Sequence, residues 1–242
     1  MDILGTLFNT IVYNPMLNAM MYLYSFIPNY GIAIIVFTLI IGVATMPFRI
    51  KSQQSMKAQQ ANPFNMGCLL TLLPFPIFIG MYQVITAVMG DRPEQMMQLP
   101  RHLYANFLNV AALLPVNSNF LGLDLGAILS TQNLLIAGTV IVVVVGTQFV
   151  QTKMMQTPGA AMDPQQAQMN QSMTLMMPLM FGFFVWSAPI GLSLYWITFS
   201  VIGIIQQGLT GGWSGLTNLL PKRAPEPVRT KRSAGSATLV AP

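Results

Sequence analysis

The sequence predicts an all-α, polytopic membrane protein with five transmembrane helices and an N-terminal interfacial helix. Three observations predict it. Only 7% of the 242 residues are charged and 53% are hydrophobic, whereas a soluble domain carries about 25% charged residues. With so few charges the surface must face lipid, which accepts apolar side chains. Five uncharged or nearly uncharged segments each approach the ~20 apolar residues that a membrane helix needs. The basic residues, finally, fall mostly on one side of those segments.

Residues 1–13 are expected to be an extracytoplasmic segment. They begin Met1-Asp2-Ile3-Leu4 and lack the basic start of a cleavable signal peptide, so insertion without cleavage is expected. Residues 14–28 come next, with Met16, Leu17, Met20, Met21, Leu23, Tyr24 and Ile27 at helical spacing before Pro28. A short, proline-bounded stretch of this kind suits an interfacial helix with Tyr22 and Tyr24 at headgroup level. The alternative is one more spanning helix.

The core is expected over residues 29–210, with spans at about 31–48, 66–89, 133–150, 172–187 and 189–209. Ser187-Ala188-Pro189 separates the last two, which should form an antiparallel hairpin. Asp91 to Ser130 reads as a polar-to-mixed loop, and Thr152 to Gln171 as a loop rich in Gln, Met and Pro. Residues 211–242 read as a basic, disordered tail without apolar periodicity.

Five spans alternate sides of a membrane. One side then holds Arg49, Lys51, Lys57, Lys153, Lys222, Arg223, Arg229, Lys231 and Arg232, and the other holds Arg92 and Arg101. Basic residues collect on the cytoplasmic side. The expected location is a cell membrane, multi-pass, with the N-terminus outside and the C-terminus in the cytoplasm.

Signals of enzymatic chemistry are lacking. Asp2, Asp91, Glu94, Asp124, Asp163 and Glu226 all fall in loops or tails, so no span carries the acidic group that a proton-coupled transporter usually needs. No phosphate loop or metal-ligand spacing occurs. The one cysteine, Cys68, excludes an intramolecular disulfide, and His102 reads as a solvated loop residue. Neither an enzyme nor a cofactor is expected, and no metal or small-molecule substrate.

The spans do hold uncharged polar groups: Thr38 and Thr45 in the first, Gln83 and Thr86 in the second, Thr147, Gln148 and Gln151 in the third, and Thr198, Ser200, Gln206 and Gln207 in the fifth. Unpaired, each costs several kcal/mol in hydrocarbon. One reading is hydrogen bonding between helices, worth about 0.6 kcal/mol apiece. The other is a hydrated groove that polar substrate segments enter. Pro74, Pro76 and Pro178 interrupt spans and bend helices by removing backbone donors. The 19 methionines suit surfaces that meet many apolar sequences, or simple packing.

The fourth and fifth spans read Met177-Pro178-Leu179-Met180-Phe181, Pro189-Ile190-Gly191-Leu192-Ser193-Leu194-Tyr195-Trp196 and Gln206-Gln207. The second holds Asn62-Pro63, Gly67-Cys68 and Pro76-Ile77-Phe78-Ile79 with Tyr82. Gly31-Ile32-Ala33-Ile34-Ile35 with Thr38 and Pro47, and Phe120 to Leu125, complete the series. In this order the motifs resemble those of the YidC-type membrane protein insertases, over most of residues 14–209.

The resemblance implies a five-helix core around a polar groove open to cytoplasm and lipid. Such a protein moves short hydrophilic segments of nascent membrane proteins across the bilayer and releases their hydrophobic helices sideways. Implied partners are nascent membrane proteins, the ribosome, the Sec translocon and membrane lipids. The groove expected here comprises Thr38, Gly42, Thr45, Arg49, Gln83, Gln148, Thr198 and Ser200, with Arg49 at a positive mouth. The basic tail is expected to touch ribosomal RNA or anionic lipid.

Three departures qualify the resemblance. The family's arginine midway along the first span is Gly42 here, and the nearest cation, Arg49, lies seven residues on, roughly 10 Å closer to the cytoplasm. A glutamine often found before the Pro-Ile-Phe run is Pro74. Lys51 to Ala61 is too short for the helical hairpin usual between the first two spans. These losses imply a divergent paralogue with a narrower client range or an artificially shortened chain. They also motivate a second hypothesis, an assembly subunit without insertion activity. A small-solute transporter or pore is the third, opposed by the lack of intramembrane charge and of an inverted repeat.

Overall fold

The structure is a computed structural model that describes residues 3–58, 74–90, 93–104, 114–155, 176, 178–211 and 213. Outside that range lie the start of the second span with Asn62-Pro63 and Gly67-Cys68, and the 156–175 stretch with the start of the fourth span. Arg92 and the basic tail from residue 214 lie outside it too.

The chain opens with α1 (Ile3–Phe8), a π-helical turn (Asn9–Tyr13) and α2 (Asn14–Phe26) in one unbroken helical run. The helix thus begins well before Asn14, where sequence spacing alone would start it. Pro15 does not stop the run; it directly follows the π-helical turn, where the Asn14 amide donates to the Asn9 carbonyl, and its ring withdraws only one backbone donor. Ile27 is extended, as a residue before proline prefers, and this ends α2.

Next is α3 (Tyr30–Ala58). Asn29 starts it by accepting the Ile32 amide on Oδ1 at 3.2 Å. The expected span ended at Phe48, but Pro47 lies inside a helix that continues ten residues further. The proline withdraws one backbone donor, and the rest of the ladder carries the helix on. Lys51 therefore prolongs α3 instead of opening a loop.

Then come α4 (Pro74–Met89), α5 (Pro93–His102), a two-stranded hairpin of β1 (Asn119–Phe120) and β2 (Leu123–Asp124), and α6 (Leu134–Met155). Residues 178–186, α7, are helical, and α8 (Ile190–Gly211) closes the described chain. Three helices are long and apolar enough to cross a membrane, within Tyr30–Ser52, Leu134–Met154 and Ile190–Thr210, and Phe75–Met89 is a shorter apolar helix. The fold is mostly helical, as expected. Helices α7 and α8 meet at Ser187–Pro189, where the Ser187 amide donates to the Phe184 carbonyl at 3.1 Å.

The described parts of the 91–130 stretch, 93–104 and 114–130, depart most from expectation, holding a helix and a hairpin where a polar-to-mixed loop is expected. His102 is half-buried, not solvated. Its Nδ1 shares a hydrogen bond with Asn14 Oδ1 at 2.9 Å, and its ring meets Tyr13 edge-on at 5.1 Å. Asn18 donates to the His102 carbonyl and accepts the Tyr104 amide. Short-range spacing could not reveal this docking, which joins residues more than 80 positions apart.

The hairpin lies across the start of α3. Phe120 packs where a Cβ on Gly31 would overlap its ring, and the Tyr30 amide donates to the Asn117 carbonyl at 3.3 Å. Beyond it, the amides of Leu129, Ile190 and Gly191 donate to the carbonyls of Ala188, Ala127 and Leu125 at 3.0, 3.0 and 2.8 Å. This loop seals one end of the bundle, the hairpin end. The helices α3, α6 and α8 run away from it, while α4 and α7 run toward it. Helix α8 is central, packed mainly on α3 and α6.

The buried core runs through this bundle and includes Leu17, Met20, Met21, Ile34, Met81, Ile85, Leu192 and Tyr195. One face of α2 therefore belongs to the core, with Val12 and Met16 against α4 at Gly80. Ile3, Leu4, Leu7 and Ile11 are exposed.

Candidate functional site

The polar side chains of the spans divide into three kinds. Thr38, Thr45 and Thr198 satisfy themselves. Their hydroxyls donate to the carbonyls of Ile34, Ile41 and Leu194, four residues back, at 2.6, 2.7 and 2.8 Å. Such back-bonding removes the cost of a hydroxyl in an apolar helix. Thr38 is fully buried, whereas Thr45 and Thr198 are half-buried. Gln83, on α4, is half-buried. Among the described residues, no hydrogen bond links these four to one another.

Gln148 and Ser200 are of the second kind and do meet. Ser200 Oγ, buried on α8, donates to Gln148 Oε1 on α6 at 3.0 Å. Trp196 Nε1, one helical turn earlier on α8, donates to the same oxygen at 3.1 Å. Both lone pairs of one amide oxygen are used. Trp196 also stands against Phe78 of α4 at 4.8 Å and Phe181 of α7 at 4.1 Å. One indole thus ties together four helices. It was legible as part of a motif but not as a site residue, because the partner that recruits it is 48 positions away.

The third kind lies about one turn further from the hairpin end. Arg49 of α3 places its guanidinium carbon 4.6 Å from the Phe199 ring centroid, a distance suited to cation–π attraction. Its Nη2 would stand 2.8 Å from a Cβ on Gly203, and the Gln151 amide would overlap that Cβ. Arg49 and Gln151 therefore converge on α8 at the one residue type that leaves room. Phe199 and Gly203 were not expected in this group; the signal that could have found them is that Phe199, Gly203, Gln206 and Gln207 share one helical face.

Gly42 has a steric role. It is buried, and a Cβ there would lie 3.0 Å from Ile202 of α8. The small residue lets α3 and α8 approach closely, and Ile202 fills the space beside it. At Gly42 the contact between α3 and α8 is therefore one of hydrocarbon. A cleft of about 350 Å³ runs between α4 and α7, lined by Phe78, Ile79, Tyr82, Phe184, Ser187 and Ala188. None of the expected groove residues lines it. Among the described residues, no three His, Cys, Asp or Glu side chains gather as metal ligands would.

Comparison with known proteins agrees with the architecture. A family model described as 60Kd inner membrane protein matches residues 57–212. A membrane protein insertase YidC of Granulibacter bethesdensis is 31% identical over 235 residues, covering 81% of this chain and 37% of that protein. One from Rickettsia akari is 27% identical over 233 residues, covering 81% and 38%, and one from Syntrophobacter fumaroxidans is 28% identical over 231 residues, covering 82% and 37%. The chain spans little more than a third of the length of these curated relatives. With more than half of its residues inside the family match, this chain belongs to the 60Kd inner membrane protein family, the family of the YidC proteins.

Proposed function

We propose that this chain is a membrane protein insertase and chaperone. It guides short hydrophilic segments of nascent membrane proteins along polar groups of the bundle and releases their hydrophobic helices into the bilayer. The observation that carries the reading is the junction of half-buried Gln148 and Trp196 with buried Ser200, near the cation Arg49. Within helices otherwise apolar, these groups form a ladder that a polar segment can descend without being stripped of every partner at once. Thr45, Gln83 and Thr198 line its approaches in this reading, Thr38 and Gly42 its wall. The proposed core has five spans in residues 29–210, with residues 14–28 at the interface.

The orientation follows from charge. Arg49, Lys51 and Lys153 lie at the end remote from the hairpin, and Arg101 lies in the connection from α4 to α6, which holds the hairpin. We assign the remote end to the cytoplasm, by the excess of basic residues there. The N-terminus is then outside and the C-terminus inside. The basic residues after Pro221 are available to a ribosome or to anionic lipid, and a Sec translocon is a further proposed partner. Depletion of the protein should leave small single-span membrane proteins uninserted, measured by protease protection of a tagged client. Unchanged client insertion would contradict the proposal.

A second reading, an assembly subunit that holds one membrane partner without inserting clients, is favoured by one observation. Gly42 and Ile202 close the deep part of the bundle. That reading predicts stable co-purification of one partner and no contact with nascent chains.

A further inference from the structure

The cleft of about 350 Å³ is lined from α4 by Phe78, Ile79 and Tyr82, and by Phe184, Ser187 and Ala188 from α7 and the turn after it. None of the polar groups assigned to clients takes part. Its floor is closed, with Ala188 1% exposed and the Phe78 and Phe184 rings 5.4 Å apart. Its sides are open, since Ile79, Tyr82 and Phe184 are 45%, 39% and 39% exposed. The lining is also graded. Both helices run toward the hairpin end, so Tyr82 stands about one turn nearer that end than Phe78, and Ser187 nearly one turn nearer than Phe184. The far part is hydrocarbon, and two hydroxyls lie on the hairpin side. Ser187 Oγ donates to the Phe184 carbonyl at 3.0 Å, whereas Tyr82 Oη has no hydrogen-bond partner among the described residues.

We propose that this cleft holds the upper part of one acyl chain of a bilayer phospholipid, whose ester carbonyl accepts from Tyr82 Oη. Size selects this occupant. One turn of a helix, about 10–12 Å across and 5.4 Å tall, takes up roughly 400–600 Å³, more than the cleft has. A helix of a client or partner therefore rests over the cleft, while a single hydrocarbon chain enters it. Inside a bilayer no hydrophobic force draws α4 and α7 together to close the gap. Left empty, its lining forfeits dispersion contacts, and lipid is the solvent at hand. Polarity selects the same occupant. A lipid chain is apolar along its length and carries an acceptor at its ester, in the order that the lining presents from Phe78 to Tyr82.

The test uses the full chain in nanodiscs of phosphatidylcholine. A small fraction of the lipid carries a diazirine on the upper half of one ester-linked chain, and labelled peptides are mapped by mass spectrometry after irradiation. Labelling should concentrate on residues 78–82 and 184–188, which bound the cleft, over the face of α6 at Val142, which is 70% exposed. Tyr82→Phe should lower cleft labelling roughly two- to tenfold, the worth of one hydrogen bond. With an ether-linked probe, which lacks the carbonyl, wild type and Tyr82→Phe should label alike. Ile79→Trp fills the cleft from its exposed wall and should abolish labelling at Phe184 while leaving that at Val142 unchanged. Both variants alter exposed side chains and should unfold at the wild-type temperature.

Equal labelling of the cleft and of Val142 would overturn the inference and leave only bulk lipid at this surface. So would cleft labelling that neither variant changes. A cleft labelled by a diazirine in the hydrophobic segment of a ribosome-bound client, but not by the lipid probe, would overturn it too and assign the cleft to clients. The lipid measurement needs no client, so its outcome is separate from that of the insertase reading.

Discussion

An amide oxygen in hydrocarbon is stable only while its lone pairs are occupied, and Gln148 occupies both with donors from α8. Gln148→Met keeps the volume and removes the acceptor. Trp196 Nε1 and Ser200 Oγ are then left unpaired, at a cost of about 1–3 kcal/mol. Thermal unfolding in detergent should show a clear loss of stability for Gln148→Met and a smaller one for Ser200→Ala, which frees one lone pair only. No change for Gln148→Met would remove the junction from the account. Gly42 makes the opposite kind of contribution, by absence of atoms. Gly42→Leu forces four carbons toward Ile202, where even a Cβ stands at 3.0 Å, and should cost roughly 1–3 kcal/mol through overpacking. The same measurement checks it, with Thr45→Val as a control that loses only a bond within its own helix. These roles were unevenly legible in the sequence. Gln148 and Ser200 stood out because polar residues in spans need partners, and the structure pairs them. Thr38, Thr45 and Thr198 looked the same in the sequence, yet each bonds back to its own helix. Rotamer choice decides between the two, and spacing does not encode it.

At the scale of elements, the three apolar helices within Tyr30–Ser52, Leu134–Met154 and Ile190–Thr210 were legible because length and lack of charge mark a membrane-crossing segment. Their ends were less so. Helix α3 runs through Pro47 to Ala58, since a proline removes one hydrogen bond and a long helix has many. The segment after α4 was read as loop because its helix and hairpin gain their order from distant partners such as Asn14, Asn18 and Gly31. The hairpin turn places Leu121 at φ 53° and Gly122 at φ 81°, the positive pair that favours Asn-Gly. Leu121 is 87% exposed and so gains little packing in return for a left-handed backbone. Leu121→Asn should raise stability by about 1 kcal/mol, seen as a higher unfolding temperature. A decrease would mean that the leucine is held by a surface the chain alone does not show. Gly31→Val should do the reverse by displacing Phe120, and would expose the 119–124 turn to protease.

At the scale of the molecule, the arrangement is polar at one end and sealed at the other. Backbone hydrogen bonds from Leu129, Ile190 and Gly191 close the hairpin end, while Arg49, Gln151, Gln206 and Gln207 lie toward the basic end. The proposed orientation predicts that a cysteine at Leu121 reacts with a membrane-impermeant maleimide added outside intact cells. A cysteine at Lys153 should react only after the membrane is opened, with Cys68 replaced by serine in both. Reversed labelling would invert the orientation. The central claim, that client segments travel along the polar groups of α4 and α8, is tested most directly by site-specific photocrosslinking to ribosome-bound nascent chains bearing one hydrophobic segment. Probes at Gln83 and Thr198, both half-buried, are compared with one at Val142, which is 70% exposed on α6. The account predicts crosslinks from Gln83 and Thr198 and none from Val142. A folded protein that crosslinks from none of them, or equally from all three, would contradict it and favour an assembly subunit that never holds a nascent chain.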